Sequence, residues 1–128
     1  MSYYFSKIVH MSMEDAIAHV TDALAERGFG VLTTIDVRAT LKKKLDVDFR
    51  AYTILGACNP TFAHKALQSE DKIGTMLPCN VIVQEVGEGR VEVSAVDPAA
   101  SMQAVDNPQL VSIAGDVRNL LKQMVEGL

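Results

Sequence analysis

Tryptophan is absent from this chain, and phenylalanine and tyrosine together supply only 5% of its 128 residues. A core made with so few rings must come from Val, Ile, Leu, Ala and Met, and a single-stranded nucleic-acid platform lacks the rings on which bases stack. Positive charge is not in surplus either. The formal net charge is −4, which sets up no field for phosphate backbones or anionic lipid, so neither nucleic acid nor membrane is an expected partner. The one basic run, Lys42-Lys43-Lys44, lies between Leu41 and Leu45 and is followed by Asp46 and Asp48, the pattern of a solvated face. No stretch approaches the roughly 20 apolar residues of a membrane span, and Met1 to His10 has no apolar run of signal-peptide length, so a cytoplasmic location is expected. Cysteine occurs twice; in a reducing compartment such a pair is free, catalytic or metal-binding rather than permanently bridged.

What is present is apolar and regular. Hydrophobic residues make up 48% of the chain against 22% charged, which predicts one globular domain over residues 1–128. Tyr3 to Val9 reads as a strand. Ser12 caps a helix over 13–27, in which Met13, Ile17, Val20 and Leu24 form an apolar stripe that ends at Gly28. Val31 to Arg38 alternates as a strand, a short helical turn surrounds Leu41 and Leu45, and Arg50 to Ala57 is the next strand, stopping at Cys58. Gly56 within it predicts a close approach to the backbone. Asn59-Pro60 is a cap followed by proline at the first helical position, and it opens a short helix. Val81-Ile82-Val83 is a continuous apolar run, expected to be covered on both faces or to meet a second copy. Gly87-Glu88-Gly89 turns it into a return strand over 90–96, and Asn107-Pro108 starts a final helix with a broad apolar face that should be the main packing element against the sheet. Without regular strand–helix–strand alternation, the order favours a mainly antiparallel sheet of about five strands backed by two longer helices.

The candidate chemistry is concentrated in two near-mirrored tripeptides, Cys58-Asn59-Pro60 and Pro78-Cys79-Asn80. Each cysteine stands at the edge of a regular element, so both thiols can open onto one cleft. With Asp36, near the end of an otherwise apolar strand, this gives a ligand-binding set of Asp36, Cys58, Asn59, Pro78, Cys79 and Asn80. Cys58, just ahead of a helix N-terminus, is the better placed of the two thiols to form thiolate; inert packing is the competing reading for both. Asp36 has structural capping as its alternative. A soft-metal site would draw on Cys58, His64 and Cys79, with Met76 as a fourth ligand for Cu(I), but the spacing lacks the tight Cys-x-x-Cys loop and His64 lies off the apolar face of Phe62, Ala63, Ala66 and Leu67. No cofactor is expected. His10 and His19 read as surface residues, no nucleophile–base–acid order supports a hydrolase, and no glycine-rich phosphate loop follows a strand.

Taken in order, Gly28-Phe29-Gly30 leading into Thr34-Ile35-Asp36-Val37, then Leu55-Gly56-Ala57-Cys58-Asn59-Pro60, then Leu77-Pro78-Cys79-Asn80-Val81-Ile82-Val83 resemble the uncharacterised prokaryotic proteins grouped as domain of unknown function 302, over nearly the whole chain. The resemblance implies a small α+β fold with a curved antiparallel sheet packed on helices, related in shape to the TATA-binding-protein architecture, and a homodimer. It implies no activity, and it implies that the Asn-Pro turn and Leu-Pro stretch recur more regularly than the thiols. Three readings follow: a non-catalytic homodimeric module that binds a small ligand in the cleft, with the helix N-terminus suited to an anionic or thiol-bearing group; a thiol redox or sulfur-handling enzyme in which Cys58 attacks and Cys79 resolves; and a structural or interaction protein with inert cysteines.

Overall fold

The computed structural model describes residues 2–128, so of the expected single domain only Met1 lies outside the described residues. Among these residues the elements are β1 (Tyr4–Val9), α1 (Met13–Glu26), β2 (Gly30–Asp36), α2 (Val37–Leu45), β3 (Tyr52–Cys58), α3 (Pro60–Ser69), a 3-10 segment (Asp71–Met76), β4 (Cys79–Gly87), β5 (Arg90–Val96), α4 (Pro98–Ser101) and α5 (Pro108–Glu126). The strands form one antiparallel sheet in the order β1-β5-β4-β3-β2. It is α+β, as the element order predicts.

Helix boundaries follow local chemistry. Ser12 accepts a hydrogen bond from the Asp15 N–H at the start of α1, and Asn59, Asp97 and Asn107 each cap a helix whose first residue is proline, where a missing N–H leaves nothing unsatisfied. Strand β2 stops at Asp36 rather than continuing to Arg38, because that carboxylate turns to cap α2. The 3-10 segment carries no periodicity of its own in the sequence. It is fixed from outside by Ile73, which is fully buried.

Alternation sorts the sheet into two faces. Leu55, Ala57, Val81, Val83, Val91, Val93 and Ala95 point to the helix side and are at most 1% exposed, packing with Val20 and Leu24 of α1 and Leu121 and Met124 of α5. A second, smaller core joins Ala66, Ile73, Met102, Leu110 and Ala114. Helix α5 therefore serves two cores, its C-terminal half against the sheet and its N-terminal half against α3 and α4. The other face carries a cross-strand row, Ile35, Ile54, Ile82, Ser94 and Ser6, of which Ile35 and Ser6 are exposed and Ile54 and Ile82 half-buried. Of the two settings expected for Val81-Ile82-Val83, cover on both faces does not hold within the chain: the two valines are fully buried but Ile82 lies half-buried on the open face.

Candidate functional site

The predicted cleft divides when the strands are laid in register. Asp36 pairs with Thr53, whereas Cys58 pairs with Gly30 at the opposite end of β2, six residues and about 20 Å away along the strand. Asp36 does not reach the cysteines. Its Oδ1 accepts from the Ala39 N–H at 2.9 Å, so capping is its observed work. Asn80 pairs with Gly56 and, being adjacent to Cys79 on a strand, points to the opposite face.

Cys58, Asn59, Pro78 and Cys79 do come together. They line a pocket between the ends of β3 and β4 and the helices α3, α4 and α5, with Phe29, Phe62, Ala66, Leu77, Met102, Leu110 and Ile113 among its walls. Apart from Asn59 and the two thiols, every lining residue is apolar. Its free volume is about 30 Å³, room for about one water. Cys58 is half-buried and Cys79 buried. Burial, and secondarily the neighbouring Cys58, push the Cys79 thiol up from its ordinary 9.0 to about 11, because an apolar surround disfavours the charged form. Cys79 is therefore a neutral thiol at physiological pH.

Gly56 and Pro78 shape this corner from the open face. A Cβ on Gly56 would overlap the Thr33 hydroxyl and come within 2.8 Å of Pro78 Cγ, so the close approach expected at Gly56 is that of Pro78 and Thr33. Asn59 is structural at both ends of its amide: Oδ1 accepts from the Phe62 N–H at 3.4 Å and Nδ2 donates to the Arg27 carbonyl at 3.5 Å. This second bond ties the start of α3 to the end of α1 beside Gly28, whose φ of +83° suits glycine. The α3 N-terminus offers little to an anion, since Pro60 has no N–H and those of Phe62 and Ala63 are both donated to Asn59.

The metal set does not assemble. His64 is exposed on α3, Met76 is 39% exposed, and among the described residues no group of three or more His, Cys, Asp or Glu side chains could hold a metal ion. Nor, among the described residues, is any helix long and apolar enough to cross a membrane. Sequence reading missed the helical half of the pocket. Leu110, Ile113, Ala114 and Val117 were visible as a stripe at helical spacing, but that α3 and not only the sheet would meet them depends on packing of elements far apart in the chain.

Comparison with known proteins agrees with this architecture. None of the curated proteins matches. A crystal structure of an uncharacterized conserved protein of DUF302 from Bacillus stearothermophilus is similar over 98% of both chains, with 27% identity and a TM-score of 0.90. The model of the family described as "Domain of unknown function DUF302" matches residues 5–128, and the chain therefore belongs to the DUF302 family.

Proposed function

We propose that this protein is a non-catalytic, homodimeric small-ligand-binding domain whose pocket beside Cys58 and Cys79 receives a short apolar end of the ligand. The lining of that pocket carries the reading: apolar walls, two thiols and one amide already committed to the backbone. Such a surround desolvates an alkyl group favourably and supplies no general acid or base. The free space of about 30 Å³ suits a terminal methyl group, with the remainder of the ligand at the mouth beside Cys58. Calorimetric titration with straight-chain alcohols tests it. Affinity rises with the first few carbons and then levels off, and Ala63→Leu, which fills the mouth, removes binding; a response that grows without saturation in both proteins would mean non-specific partitioning.

Self-association is supported by the poor cover over one edge of the domain. None of the described residues of α2 is buried, and Leu32, Ile35, Leu45 and Val47 of the β2–α2 segment are 67%, 47%, 66% and 43% exposed. A second copy that places the same segment against this one would cover both by two-fold symmetry. Sedimentation should give a dimer that Leu32→Asp with Leu45→Asp converts to monomer; a wild-type monomer would remove the dimer from the proposal.

The redox reading has one observation in its favour, the shared pocket of Cys58 and Cys79. Against it stands the neutral Cys79, since exchange runs through thiolate. Exchange with a small disulfide that disappears when Cys79 alone becomes serine would favour the enzyme over the binding module.

A further inference from the structure

The geometry points to a second ligand site, on the open face of the sheet, for a hydroxylated ring compound carrying one acidic group, that is, a sugar acid or a sugar phosphate. It is independent of the cysteine pocket, which lies on the other face. A groove of about 450 Å³ crosses β5 and β4, within the range of small-molecule sites. All three tyrosines of the chain, Tyr3, Tyr4 and Tyr52, line it. Tyr3 and Tyr4 pack edge to face at 5.1 Å at the β1 side, and Tyr52, in register with Gln84, Glu92 and Ile8 rather than with Tyr4, stands at the diagonally opposite corner, three strand spacings across and four residues along, about 20 Å away. At the Arg50 end, Tyr52 and the floor of Ile82 and Ser94 present both apolar area and hydrogen-bonding groups to a bound ring, while Tyr3 and Tyr4 line the far end of the groove.

Charge defines the rest. Arg50 Nε donates to Gln84 Oε1 at 2.8 Å, and Gln84 Nε2 donates to Glu92 Oε1 at 3.3 Å. One amide thus holds a cation and a carboxylate apart at its two ends. The Arg50 guanidinium lies 4.5 Å over the Phe49 ring and 5.5 Å from the Tyr52 centroid, and among the described residues it forms no ion pair. Its terminal nitrogens suit the planar bidentate recognition of a carboxylate or phosphate, while Glu92 accepts from hydroxyl groups. A groove lined by a single cation, Arg50, on a chain of net charge −4 suits one acidic group rather than a polyphosphate.

The chain provides its own reporter. Without tryptophan, and with every tyrosine in this groove, intrinsic emission reads this site alone. Titration with glucuronate, glucose 6-phosphate and glucose should give a saturable change at millimolar concentration or below for at least one charged sugar, with glucose about ten- to hundredfold weaker. Preference for glucuronate assigns the carboxylate, and preference for glucose 6-phosphate assigns the phosphate. Arg50→Ala, an exposed position whose retained fold is checked by circular dichroism, should bring the charged sugar down to the affinity of glucose, and Arg50→Lys should fall between. Three results would overturn the site: no saturable change with either charged sugar, an affinity unaltered by Arg50→Ala, or a dimer that Tyr52→Ser dissociates, which would make the groove a contact between copies.

Discussion

The two faces of one sheet differ in nearly everything that bears on recognition. On the helix face, Cys79, Val81 and Val83 of β4 are buried in an apolar surround; on the open face, Asn80, Ile82 and Gln84 of the same strand meet tyrosines, an arginine and a glutamate. The cysteine pocket is enclosed by packing and chemically plain, with its inner thiol neutral. The groove is wide, polar and charged. Residues adjacent in a motif therefore belong to separate sites when the motif sits on a strand, and Cys79-Asn80 is divided by the pleat.

The comparison is broken most strongly by truncating neighbours that face opposite ways. Leu55→Ala, at 1% exposure, should destabilise by about 3 kcal/mol, and the half-buried Ile54→Ala by about 1 kcal/mol; urea unfolding of both measures the difference. Next comes the thiol. Because the folded Cys79 pKa of about 11 lies above its ordinary 9.0, the stability that its protonated state contributes is fully present below pH 9 and is lost as pH rises from 9 to 11, by an amount on the order of 2 kcal/mol. The fall should be shallower in Cys79→Ala, and at pH 8 iodoacetamide should modify Cys58 before Cys79, as peptide mass spectrometry would show. Gly56→Ala, which forces Thr33 and Pro78 apart, should cost about 2 kcal/mol by overpacking. Asn59→Ala should be the mildest, about 1 kcal/mol for the cap, read as a lowered Tm with the pocket otherwise intact.

Much of the fold was legible because its signals are local. Caps before proline at Asn59 and Asn107, the glycine that ends α1, and period-two alternation in β5 each act within a few residues, and they appear where the sequence places them. The site was legible only in part. Cys58 and Cys79 meet because β3 and β4 are neighbours whose register sets Ala57 opposite Cys79, and the mirrored tripeptides hinted at this. Asp36 looked equally suitable, but register puts it at the far end of β2, and register is decided between strands. The groove was not foreseen at all: Tyr3, Tyr4, Arg50, Gln84 and Glu92 come from four stretches of chain, and nothing local joins them.

The most direct test of the apolar pocket is a methyl-resolved NMR titration with n-butanol, following Ala66, Ile113 and Ala114 on the helix side against Ile54 and Ile82 on the open face. The account predicts saturable shifts at Ala66, Ile113 and Ala114 with Ile54 and Ile82 unmoved. Shifts that never saturate, or that are largest at Ile54 and Ile82, would contradict it.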